Sequence, residues 1–167
     1  MFNLKTTPGA AKPELYRELA CQLAGLLDGE RDGLANAANT AALIYQGLPD
    51  LNWAGFYFLR GGELLLGPFQ GKVACVRIGL GKGVCGTAAS QRETLVVPNV
   101  AEFPGHIACD HASRSEVVVP LVKSGRLVGV LDLDSPNPGR FDRADAEGLQ
   151  VLAELFLSRS ELGALHD

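Results

Sequence analysis

The chain reads as an α+β protein built as a single domain over residues 1–167. Two patterns point to that class: helical periodicity sits at both ends, and the middle alternates short apolar runs with glycine turns, as antiparallel strands do. Scale agrees with it, because 167 residues at 47% hydrophobic composition can bury a full core without disulfide or metal support.

Pro13 fits the first turn of a helix, and Leu15, Leu19, Leu23, Leu26 and Leu27 recur at three- and four-residue spacing up to Gly29. An alanine-rich second helix is expected from Gly33 to Gln46, ending on a left-handed cap at Gly47. Strand character starts at Leu51. There the alternation puts Trp53, Tyr57 and Leu59 on one side and Phe56 and Phe58 on the other, before Gly61-Gly62 turns the chain into Leu64 to Leu66. A short strand follows at Val76 to Ile78, then a loop-to-helix step through Gly81-Lys82-Gly83 and a strand at Thr94 to Val97. Pro98 to Arg114 lacks periodicity and is expected to be a long functional loop. Glu116 to Val122 and Leu127 to Asp134 form a second hairpin, and Phe141 to Ser158 closes the chain as a helix.

The net charge of -4, with scattered lysines and arginines, argues against nucleic acid or an anionic membrane as partner. Neither a signal-like segment nor a run long enough for a membrane span is evident, so a cytoplasmic location is expected. Thiols are kept reduced there, and four cysteines then argue for catalysis or metal binding before structural disulfides.

Cys21 lies among helical apolar residues and reads as an inert packing group. The other three lie in polar, glycine-rich segments. Cys85 belongs to Gly83-Val84-Cys85-Gly86 at a helix start, where unpaired N–H groups favour a carboxylate or a thiolate. A packing cysteine in a tight turn is the bland alternative. The stretch is no phosphate loop, because glycine follows Lys82. Cys109 has His106 and His111 nearby, whose ring nitrogens would assist a thiolate that Asp110 alone would oppose. A metal site competes with these readings, but the spacings Cys75-x9-Cys85 and Cys85-x23-Cys109 lack the short knuckle of structural zinc.

Glu116, Asp132 and Asp134 are acids inside apolar strands, where an unpaired carboxylate is costly unless a cation or ligand compensates. Alternation sets Asp132 and Asp134 on one face, either to bind an ammonium or to keep one carboxyl protonated as a general acid. Solvent-facing positions on an edge strand are the alternative. A two-residue turn at Ser124-Gly125 would put Glu116 opposite Leu133, away from the aspartates. A three-residue loop with a glycine bulge would pair Val122 with Arg126 and Glu116 with Asp132, and this second register is expected.

Five segments, in order, carry a family resemblance: Gly67 to Cys75, Gly81 to Gly86, Phe103 to Asp110, Ser113 to Glu116, and Leu131 to Ser135. Together they closely resemble the free methionine-(R)-sulfoxide reductases, enzymes with the GAF fold. The likeness runs from about Trp53 to the final helix and extends into the N-terminal helices, with Val73 in place of an expected proline. It implies a six-stranded antiparallel sheet flanked by helices, a homodimer, and reduction of free methionine-(R)-sulfoxide by thioredoxin, itself recharged from NADPH. No metal or organic cofactor is implied. By similarity Cys109 attacks, Cys75 resolves and Cys85 has a less settled part, while Trp53, Tyr57, Val84, Glu116, Asp132 and Asp134 hold the substrate. The chemistry is consistent: a thiolate attacking sulfoxide sulfur needs a proton on the departing oxygen, and the sulfenic acid left behind condenses with a second thiol. A GAF sensory module for a small ligand, or a thiol switch without turnover, are the other classes that such a chain could represent.

Overall fold

Residues 2–107 and 110–163 are described by the structure, a computed structural model. Helix α1 (Lys12–Leu26) opens with proline in its first turn, where a missing N–H leaves no bond unmade, and buries Tyr16, Leu19 and Leu23. Helix α2 (Gly33–Gly47) is capped by Asp32, whose carboxylate accepts from the Ala35 N–H at 2.8 Å. The left-handed cap expected at Gly47 does not form. The chain leaves the helix through extended Leu48, and the glycine is needed for space: a Cβ on it would lie 2.5 Å from Leu19 Cδ2.

Six strands follow, β1 (Trp53–Arg60), β2 (Glu63–Gly71), β3 (Arg77–Gly79), β4 (Leu95–Val97), β5 (Ser115–Lys123) and β6 (Arg126–Ser135), with α3 (Gly83–Gln91) between β3 and β4. They make one antiparallel sheet in the order β3-β2-β1-β6-β5-β4. Strand β2 runs five residues past the predicted Leu66, through Pro68. That proline is tolerated because the β1–β2 register shifts there and β3 pairs only with Glu63 to Leu65. Among its described residues the predicted long loop contains a 3-10 turn, Val100–Glu102.

The two faces of the sheet have different fates. Ala54, Phe56, Phe58, Val117, Val119, Leu131 and Leu133 pack under α1, α2 and α4 (Arg143–Arg159) in the main core. Each such buried leucine or phenylalanine contributes about 1.5–3 kcal/mol. On the opposite face Trp53, Tyr57, Val118 and Val130 meet Val84, Cys85 and Ala88 of α3 in a smaller cluster.

The β5–β6 hairpin departs from its predicted register. Ser124 and Gly125 both have positive φ, 50° and 74°, and form a two-residue turn, so Lys123 pairs with Arg126 and Val122 with Leu127. Alone, that turn would have sent Glu116 to the wrong face. Instead the register shifts between Leu121 and Val122, with Val128 as the extra residue of β6. Glu116 therefore faces Asp134, not Asp132. The three acids share a face as expected, but through a bulge inside the strand. Gly129 explains its place, because a Cβ there would lie 2.1 Å from the Tyr57 carbonyl oxygen on β1.

Candidate active site

The acids belong to β5 and β6, two inner strands, which removes the alternative of a solvent-facing edge. Glu116 and Asp132 are each only 6% exposed. They line a cavity roofed by α3, by the loop around residues 72–76 and by His106, Ile107, Asp110 and Ser113, with Trp53, Tyr57, Val84, Cys85 and Asp134 also in its wall. Eight of the nine predicted site residues lie in described segments, and seven of those eight line this one cavity. Cys75 sits just behind the wall formed by its neighbours Val73 and Ala74, with its carbonyl accepting from Tyr57 Oη at 3.0 Å. Cys109 lies outside the described residues.

Burial dominates the electrostatics. It pushes the carboxyls of Glu116, Asp132 and Asp134 well above their usual range, and their mutual repulsion raises them further. The Cys85 thiol is raised by the same two causes. Its Sγ lies 3.9 Å from Glu116 Oε1. Among the described residues no lysine or arginine pairs with the three acids. Their nearest cationic candidate is His106, whose Nε2 is 3.6 Å from Glu116 Oε2 and whose own pKa is lowered by burial. Asp132 Oδ1 is buried with no hydrogen-bond partner. The space open to water-sized groups within the cavity is about 30 Å³, room for a water or an ion.

Helix α3 brings its N-terminus to the same cavity. Lys82 precedes it in extended conformation with no side-chain cap, so the first-turn N–H groups have no partner within the helix. Gly86 was expected to contribute an N–H there, but it donates to the Lys82 carbonyl at 3.0 Å, which leaves those of Val84 and Cys85. A Cβ on Gly86 would meet the Gly79 carbonyl oxygen at 2.2 Å, so only glycine lets the helix seat this close to β3. Opposite, the Trp53 indole stacks on Phe69 at 5.3 Å between centroids and donates its N–H to the Lys72 carbonyl.

Four residues outside the predicted site set hold the loop over the cavity. Asn52 Nδ2 donates to Asp110 Oδ2 at 3.2 Å and to Ser113 Oγ at 3.0 Å, and Lys72 Nζ is 3.6 Å from the same Asp110 oxygen. Asp110 is held below the usual carboxylate range, first by the Ala112 N–H and then by Asn52 and Lys72. A polar residue just before a buried strand is the signal that would have found Asn52. The assistance expected of His106 concerns Cys109, outside the described residues; the His106 Nε2 lies 3.6 Å from Glu116 Oε2.

The cavity thus has an acidic wall, a set of backbone donors across from it and an aromatic side, an arrangement suited to a small zwitterion with an apolar tail. The GAF domain family matches residues 14–157. A protein of Escherichia coli (strain K12), free methionine-R-sulfoxide reductase, is 52% identical over 86% of this chain and 88% of its own. The X-ray structure of free methionine-R-sulfoxide reductase from Neisseria meningitidis in complex with its substrate superposes with a TM-score of 0.91 at 44% identity, covering 95% of each chain. A chain from Burkholderia vietnamiensis described as a GAF sensor protein is 58% identical, with a TM-score of 0.88 over 90% of this chain and 96% of its own. On sequence and fold together, the chain belongs to the GAF-fold family of free methionine-(R)-sulfoxide reductases.

Proposed function

We propose that this enzyme reduces free L-methionine-(R)-sulfoxide to methionine through its cysteines, with thioredoxin and NADPH as the external reductants and no metal or organic cofactor. The observation that carries the substrate class is the buried acid wall. Three carboxyls without a lysine or arginine partner among the described residues, one of them with an orphaned oxygen, suit the ammonium of a free amino acid. The α3 amides of Val84 and Cys85 suit its carboxylate. Trp53 and Tyr57 suit its methyl end. A methionine sulfoxide inside a peptide has neither terminal charge and gains neither contact.

Chemistry follows from the same groups. The Cys109 thiolate attacks the sulfoxide sulfur, and one buried carboxyl, kept protonated by burial, supplies the proton that the oxygen needs. Methionine leaves and Cys109 is left as sulfenic acid. Condensation with Cys75 expels water and forms a disulfide, which thioredoxin reopens by exchange. The reading is supported by the state of the sulfurs: Cys21 and Cys85 carry free thiols, and Cys75 does not. Cys85, a free buried thiol beside Glu116, then serves as a relay or as part of the substrate wall. To admit a whole amino acid the cavity must widen at its rim, where Val73 and Ile107 are exposed. The reading includes a homodimer and a cytoplasmic location; no described helix is long and apolar enough to cross a membrane.

A coupled assay with thioredoxin, its reductase and NADPH tests the proposal. Sustained NADPH oxidation is expected with the free R epimer and not with the S epimer or with a sulfoxide inside a peptide. Equal turnover of the peptide would overturn it. A sensor or a thiol switch would consume no more than one equivalent.

A further inference from the structure

We propose that the acid wall is also a binding site for a thiophilic divalent cation such as Zn2+, held by Cys85 Sγ, a Glu116 oxygen and an Asp132 oxygen. Occupancy of that site would exclude the substrate ammonium. These three ligand atoms lie within 4.8 Å of one another, and the sulfur is 3.9 Å from Glu116 Oε1. A tetrahedral zinc with Zn–S about 2.3 Å and Zn–O about 2.1 Å sets neighbouring ligand atoms roughly 3.4–3.6 Å apart. Closing the set therefore needs contractions of at most roughly 1.4 Å, and only about 0.3 Å for the Cys85–Glu116 pair, within reach of side-chain adjustment.

An independent observation points to a cation here. Asp132 is nine-tenths buried, lines the cavity, and has one oxygen with no hydrogen-bond partner. Among the described residues no lysine or arginine neutralises the wall. The free space of about 30 Å³ takes an ion as it stands, whereas an amino acid requires the rim to open. A fourth position is left to water or to the His106 ring, whose Nε2 is 3.6 Å from Glu116 Oε2. Thiolate, carboxylate and imidazole are the donors that zinc accepts, and three protein ligands with an open fourth site is one of its recurring forms. Missing knuckle spacing argues against a structural zinc; it does not bear on three ligands gathered from α3, β5 and β6. Binding releases the Cys85 thiol proton and the protons held by the two carboxyls to solvent, and no electrons move.

The geometry stands without the reductase reading, and the test separates the two. Titration of the reduced full chain with Co2+ under anaerobic conditions is expected to give one saturable equivalent. Its signature is a sulfur-to-cobalt charge-transfer band that Zn2+ abolishes. Cys85→Ser should remove that band, and Asp132→Asn should keep it while weakening affinity by more than roughly tenfold. Even partners outside the ligand set cost 10–100-fold when removed. Free methionine should displace the cobalt, whereas N-acetylmethionine, which lacks the ammonium, should not. No saturable binding, or an unchanged spectrum in Cys85→Ser, would overturn the site, and equal displacement by both methionines would overturn the competition. None of these readouts involves turnover, so a protein that binds cobalt but reduces nothing would sink the reductase reading alone.

Discussion

Two buried acid sites sit on opposite faces of one sheet and are built on opposite principles. Asp145 in the first turn of α4 is fully buried, yet each of its oxygens is matched: Lys12 Nζ bonds to Oδ2, and Arg140 Nη1 (3.0 Å) and Tyr16 Oη (2.9 Å) bond to Oδ1. It also closes a reciprocal cap with Asp142. The wall of Glu116, Asp132 and Asp134 is nearly as deep, but its one ion-pair candidate among the described residues is a histidine whose protonation burial disfavours. A matched buried carboxylate is a clamp, here tying α1 to α4. An unmatched one is a receptor, stable in the folded chain because it holds its proton until a cation arrives.

The largest expected effect separates these roles. Asp132→Asn should lower kcat/KM by roughly 10²–10⁴, the range for loss of a positioned acid, while its unfolding midpoint in urea stays level or rises because the amide has no charge for burial to penalise. A matching fall in stability would make the wall a structural element instead. Asp145→Ala should behave in the reverse way. Removing one partner of a buried, hydrogen-bonded ion set costs about 3–5 kcal/mol, and the folded fraction should retain its kcat/KM.

Much of this contrast is legible in the amino-acid sequence. The glycine-rich segments around Cys75 and Cys85, carboxylates inside apolar strands and the alternation of Trp53 and Tyr57 against Phe56 and Phe58 are local signals, and the fold keeps them; Cys109 lies outside the described residues. What escapes is decided by long-range contact. The β6 bulge arises where Gly129 meets the Tyr57 backbone more than seventy residues away, so the hairpin's own sequence favours the wrong loop while leading to the right face. Asp145 looks like an ordinary first-turn acid, because Lys12 and Tyr16 are about 130 residues distant. Asn52 gives no periodic signal at all.

Dependence on pH sharpens the comparison, since the two regions carry shifts of opposite sign. Glu116, Asp132 and Asp134 titrate above their unfolded values, so the folded chain holds protons that the unfolded chain gives up near pH 4. Their contribution to stability is full below about pH 4 and is lost as pH rises through the raised values. Asp142 is held low, first by its hydrogen bond from Lys12, so its smaller, solvent-screened contribution is present above about pH 4 and is lost as pH falls. Urea midpoints measured across pH should show Glu116→Gln flattening the alkaline decline and Lys12→Met flattening the acid one. Substrate binding should release protons from the wall, detectable by calorimetry in buffers of different ionisation enthalpy. Uptake of protons would mean that the ammonium does not bind there.

The smallest expected effect concerns the link between the wall and Cys75, the resolving thiol of the proposed mechanism. Tyr57 lies 1% exposed against Trp53, and its hydroxyl donates to the Cys75 carbonyl at 3.0 Å. Burial raises its pKa, so the hydroxyl remains a donor throughout the working range. Tyr57→Phe keeps the ring and takes that donor away from the carbonyl, a loss of about 1 kcal/mol, which should move the urea midpoint but not the slope. Its kinetic mark should fall on recycling alone. In a single turnover without thioredoxin, methionine release should match wild type, because attack and protonation do not use this bond. Disulfide formation should slow by a few-fold, since a loosened Cys75 loop meets the sulfenic acid less often. An equal slowing of methionine release would place Tyr57 in the chemistry of the acid wall rather than beside it.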